Sequence, residues 1–103
     1  MNLIKGDKMK ENENKVIITV SGTDKVGIVA KVANILAQTN VNIEDIKQTL
    51  MQGHFVMFML CSIEKLNVSF PEFQTLLKDE CAKLGMEVWI QRKEIFDCMH
   101  NID

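Results

Sequence analysis

The sequence predicts an α+β sandwich in which two β-α-β units share a central hairpin, with both helices on one face of a four-stranded antiparallel sheet. Three observations predict it. Short β-branched or apolar runs alternate with two helix-period segments in the order β-α-β-β-α-β. A Gln52-Gly53 pair sits between two runs of strand character, as a tight hairpin turn does. A capping box, Ser69-Phe70-Pro71-Glu72, opens the second helical segment.

The first run, Lys15 to Ser21, alternates Val16, Ile18 and Val20 with Ile17, Thr19 and Ser21. Ser21-Gly22-Thr23-Asp24 reads as a turn, with Asp24 or Thr23 as the N-cap of a helix from about Lys25 to Gln38. Ile28, Val29, Val32, Ala33, Leu36 and Ala37 give that helix its apolar stripe, and Asn40 suits a left-handed cap after it.

The second strand spans Val41 to Met51. Ile43 and Ile46 lie three apart, so burying both on one face requires a bulge near Glu44-Asp45. The third strand, His54 to Ile63, turns Phe55, Met57, Met59 and Cys61 one way and Val56, Phe58 and Leu60 the other.

The second helix reaches about Leu84, with Phe73, Leu76, Leu77, Cys81 and Leu84 as its stripe and Gly85 as its stop. Met86 to Lys93 is the fourth strand, with Val88 and Ile90 opposite Trp89. Ile95, Phe96, Met99 and Ile102 recur at helical spacing and predict a short terminal helix over 94–102. Residues 1–14 are charged and without period. They read as a mobile tail before one domain over 15–103, and Met9 could be a second start. The arrangement is the split βαβ, or ferredoxin-like, sandwich.

Composition narrows the function. At 103 residues the chain holds one domain. Its formal net charge is −2, which argues against a nucleic-acid partner. An RNA-recognition sheet would also need exposed aromatics on its first strand, which has none. The longest apolar run, Phe55 to Cys61, is far too short to cross a membrane, and no signal-peptide core precedes it.

Cys61, Cys81 and Cys98 are odd in number and widely spaced, so neither a disulfide framework nor a zinc site is expected; each is read as a packing residue. Reduced cysteines and seven methionines suit a cytoplasmic protein. A metal chaperone of this architecture would carry CxxC in the first loop, and this loop has no cysteine. His54 is read as a hairpin residue and His100 as a surface residue. Neither has a nucleophile partner, and Glu44 and Asp45 on a regular strand would point to opposite faces. No catalytic constellation emerges, and no cofactor or metal is expected.

The first loop remains. A helix N-terminus offers unpaired N–H groups and the positive dipole end to a carboxylate or phosphate. Gly27, expected in the first helical turn, either admits a ligand or clears a neighbouring element. Asp24 is either a cap or a ligand contact.

Ser21-Gly22-Thr23-Asp24-Lys25-Val26-Gly27-Ile28-Val29-Ala30-Lys31-Val32 resembles the first loop and helix of an ACT domain, with its D-[KR]-x-G-[IVL] signature. Asn40-Val41-Asn42-Ile43 resembles the N-x-N-I start of the second strand. The resemblance runs from about Lys15 to Lys93. The ending Ile95, Phe96, Asp97, Met99 and His100 is similar to that of small stand-alone ACT proteins, themselves similar to halves of the glycine cleavage system transcriptional repressor.

The resemblance implies a non-enzymatic regulatory module that binds a small amino acid or related metabolite at the interface of a homodimer and signals to a protein target. It places Asp24, Lys25, Val26, Gly27 and Ile28 in the ligand loop, with Asn40, Asn42 and Ile43 opposite it. Asp24 or Asn42 would meet the ammonium. The alternative is a dimerisation module without a ligand. The apolar residues on both sides of strand three favour a dimer, either sheet face to sheet face or edge to edge.

Overall fold

The computed structural model describes residues 14–23 and 26–94. Its elements are β1 (Lys15–Thr23), α1 (Ile28–Gln38), β2 (Asn42–Met51), β3 (His54–Ser62), α2 (Phe70–Ala82) and β4 (Glu87–Arg92). The expected order stands. All neighbouring strands are antiparallel, in the order β2-β3-β1-β4. The tail before Asn14, residues Asp24 and Lys25, and the expected terminal helix from Ile95 onward lie outside the described residues, with Cys98 and His100 among them.

One side of the sheet carries the core. Val16, Ile18 and Val20 of β1, Phe55, Met57, Met59 and Cys61 of β3, and Val88 of β4 pack under Ile28, Val32, Ile35 and Leu36 of α1 and Phe73, Leu77 and Cys81 of α2. The strand alternation fixes this face by itself. The helix stripes are narrower than expected. Val29, Ala33 and Ala37 are exposed on α1, where Ile35 takes a core place instead, and Leu76 is exposed on α2. On α1 the row Ile28-Val32-Leu36 is flanked by Ile35 on one side only, so Val29, Ala33 and Ala37 on the other side turn outward, and on α2 the buried row is Phe73-Leu77-Cys81.

The β2 bulge forms where the three-residue spacing requires it. Ile43 pairs with Cys61 and Asp45 with Leu60, which leaves Glu44 as the extra residue and puts Ile43 and Ile46 on the same face. The hairpin turn is carried by Gln52 at φ 53 and Gly53 at φ 81, two successive left-handed residues of the kind that match strand twist.

Both helices close with the same device. After α1 the Val41 N–H reaches back to the Leu36 carbonyl at 2.8 Å, and Asn40 adopts φ 65. After α2 the Met86 N–H reaches the Cys81 carbonyl at 3.0 Å, and Gly85 adopts φ 75. One left-handed residue thus frees the chain to turn into the next strand.

The expected turn at Ser21-Gly22-Thr23 is instead strand, since β1 continues to Thr23 opposite His54. Gly22 belongs there because a Cβ would sit 2.6 Å from Met86 Sδ and 3.0 Å from the Gly85 carbonyl. Only glycine lets the α2–β4 turn press against β1.

Candidate functional site

The start of α1 departs from the sequence reading in an informative way. Neither Asp24 nor Thr23 is the N-cap. Gly27 holds that place at φ 88 and ψ 0, and its carbonyl takes the first helical bond from the Lys31 N–H at 2.9 Å. A residue in the left-handed region cannot lie within a right-handed turn, so the helix begins at Ile28 rather than Lys25. A Cβ on Gly27 would meet none of the described residues within 4 Å, so among them this glycine clears no neighbouring element; its backbone angle explains it.

The two helix starts differ. On α2, Ser69 and Glu72 close a reciprocal capping box, and the Glu72 carboxylate stands in the first turn. On α1, among the described residues, no side chain caps the helix, and its first turn has no acidic residue. Val26 beside it is fully exposed, while Ile28 is buried and anchors the first turn. Gly27 at the positive end of α1 is thus exposed, next to an apolar side chain that packs on none of the described residues.

The second group of expected site residues is built differently. The Asn40 amide donates to the Lys65 carbonyl at 2.9 Å, and the Asn67 amide donates to the Gln38 carbonyl at 2.9 Å. These two bonds tie the loop after β3 to the end of α1. Asn42 is exposed and Ile43 half-buried against the core. A polar hollow lies here, lined by Asn42, Glu44, Ser62, Glu64 and Lys65. Its charge is partly internal, since Lys15 Nζ stands 2.7 Å from Glu44 Oε1. The same Glu44 charge, after burial itself, helps push the Cys61 thiol up to about 12.

Within one chain these two groups do not meet. Thr23 pairs with His54, and His54 with Met51, at one end of the sheet. Asn42 pairs with Ser62, and Ser62 with Lys15, at the other end. The nine residues of β3, His54 to Ser62, span the two ends, a separation on the order of 27 Å. The loop is thus level with the far end of β2, not with its start.

Register alone also reveals a pair that local pattern missed. His54 Nε2 and Ser21 Oγ are 3.0 Å apart at the loop end of the sheet, on an exposed surface. Both residues are ordinary in sequence, and only the β1–β3 pairing brings them together. Among the described residues, no group of three or more potential metal ligands converges, and no helix is long and apolar enough to cross a membrane.

The fold has known counterparts. The family model of the ACT domain matches residues 14–91. A UPF0237 protein of Listeria innocua is 44% identical over 88 residues, covering 85% of this chain and 99% of its own length. The ACT domain protein from Streptococcus pneumoniae superposes with a TM-score of 0.69 at 35% identity, over 81% of this chain and 93% of that one. A structure assigned to a glycine cleavage system transcriptional repressor, at TM-score 0.66 and 15% identity over 75% of this chain and 45% of its own, is alike in fold. With the match extending from the first strand to the last, the chain belongs to the ACT domain family.

Proposed function

We propose that this protein is a non-enzymatic, cytoplasmic regulatory module that binds a small amino acid or related metabolite between two copies of itself and passes the signal to a protein target. ACT domains are commonly regulatory ligand-binding modules. The observation that carries the reading is the start of α1 at Gly27, which no described side chain caps, beside the fully exposed Val26, with Asn42 at the far end of the same sheet. Open N–H groups suit a carboxylate. Asn42, or Asp24 in the loop, suits an ammonium. Because loop and strand start lie at opposite ends of one chain, a two-fold partner running the other way completes each site from both copies. Lys25, Ile28 and Ile43 frame the contacts, and Asn40 holds the strand start in place.

A thermal-shift screen against the common amino acids tests this. A ligand at 100 times its dissociation constant stabilises by about 2.7 kcal/mol. For a domain of roughly 100 residues that raises the melting temperature by about 10 °C or more. No shift with any of them would favour the second reading, a dimerisation module without a ligand. That reading is favoured by Ile46, Leu50 and Met51, exposed along β2, which a second copy could cover with no ligand present.

A further inference from the structure

We propose that residues 95–103 of this same chain dock as a helix across the sheet face turned away from α1 and α2, with Phe96 over Ile17, Met99 over Leu60 and Ile102 over β2. The proposal does not rest on the ligand reading above and concerns a surface that reading leaves unused. The segment lies outside the described residues, and the surface lies within them.

The surface asks for a cover. Strand register sets Gln91, Ile17, Leu60 and Asp45 in one row across this face, and Trp89, Thr19, Phe58 and Lys47 in the next. Ile17, Phe58 and Leu60, with Asp45 and Lys47 of β2, line a groove of about 500 Å³. Trp89 and Phe58 are among the exposed large hydrophobic residues. Contiguous apolar surface of this kind marks a site of contact. Ile17 is nevertheless only 8% exposed, although it stands outside the core cluster and points away from both helices. A side chain so hidden on the side that α1 and α2 leave bare requires something over it.

The chain supplies the cover at the right place. β4 ends at Arg92, one residue past the Gln91 row, and Lys93 and Glu94 already take helical backbone. In a helix three residues advance about 4.5 Å, close to the roughly 4.8 Å between strands. A helix that starts at Lys93 on β4 and crosses the strands in the order β4-β1-β3-β2 therefore sets positions 96, 99 and 102 over β1, β3 and β2 in turn. Those positions are Phe96, Met99 and Ile102, and Ile95 joins their stripe one turn before Met99. Asp97 and Asn101 fall on the opposite side, toward water. Asp103, at the β2 end, is brought to the ammonium of Lys47. The tether gives the segment an effective concentration on the order of millimolar, which favours it over a second copy for the same groove.

Disulfide trapping on the full chain tests the crossing. Leu60→Cys with Met99→Cys, in a Cys98→Ser background, should close a disulfide within one chain under oxidised glutathione, read as a monomer lighter by the two hydrogens lost. Cys61 and Cys81 are buried on the helix side and do not compete. Val56→Cys with Met99→Cys should not link, because Val56 lies on the same face of β3 about 13 Å from Leu60. Trp89, the single tryptophan, gives a second reading from the neighbouring row. In Phe96→Ser its emission should move to the red and its quenching by acrylamide should rise. The trapping pairs decide the question even where Phe96→Ser lowers stability. A link between positions 60 and 99 that forms only between chains would give the face to a second copy and overturn the proposal. Equal linking from positions 56 and 60, or no link from position 60, would overturn it as well. None of these outcomes bears on the ligand reading, which the amino-acid screen tests separately.

Discussion

The Asn40 side-chain amide donates to the Lys65 carbonyl at 2.9 Å from a backbone held at φ 65. One residue thus performs two structural tasks: it closes α1 in the left-handed region, and it pins the loop that follows β3. Asn40→Gly keeps the backbone angle and loses the hydrogen bond, so it should cost about 1 kcal/mol in urea unfolding. Asn40→Ala loses both and should cost about 2 kcal/mol or more. Ligand affinity should change little in Asn40→Gly, because that amide is already engaged; a large loss of affinity at near-normal stability would make Asn40 a direct contact.

Gly27 separates backbone strain from ligand approach. Its φ of 88 disfavours any L side chain, although a Cβ there has open space. Gly27→Ala should therefore cost roughly 1–2 kcal/mol through the backbone alone and leave a folded domain. Asparagine, which tolerates the left-handed region, should cost less. If the N–H groups beside Gly27 hold a carboxylate, the thermal shift given by the amino acid that stabilises the unmodified protein should disappear in Gly27→Ala. A variant of near-normal stability that keeps the full shift would place the ligand elsewhere.

Cys61 gives the domain an alkaline limit. Burial first, and the Glu44 charge second, push its thiol up from 9.0 to about 12. The folded chain then holds a proton that the unfolded chain releases above pH 9, so stability is full below about pH 9 and falls as pH rises toward 12. The loss reaches at most about 1.4 kcal/mol per pH unit. Cys61→Ala should be less stable at pH 7, through lost packing, yet show a shallower decline between pH 9 and 10.5 in urea unfolding. The slope should shrink without vanishing, because burial raises the Cys81 thiol as well. An unchanged slope would remove Cys61 from the alkaline transition.

Much of the fold was legible in local pattern. The Ser69 capping box, the Gln52-Gly53 turn, the Ile43/Ile46 spacing that demanded a bulge, and the alternation of β3 each rest on contacts within a few residues, and each is present. The misreadings share a cause in tertiary geometry. Asp24 and Thr23 are good capping types, but the chain turns at Gly27 instead, and a positive φ is not written in composition. Gly22 looked like turn glycine because the contact that requires it, Met86, comes from the other end of the chain. The residues expected at the site fall into two groups in the sequence. Their separation was not legible there, because it follows from β1 and β2 running parallel on either side of β3.

That separation makes the account testable by mixing two defective copies. Gly27→Ala impairs the loop half of a site, and Asn42→Ala impairs the strand half. Each variant alone should give no binding in calorimetry with the amino acid that stabilises the unmodified protein. In a mixed dimer, the intact loop of one copy meets the intact strand start of the other, so one of its two sites is whole. After free exchange about half the dimers are mixed, so the mixture should recover about a quarter of the unmodified capacity. If mixed dimers form and no binding returns, the site does not lie between two copies.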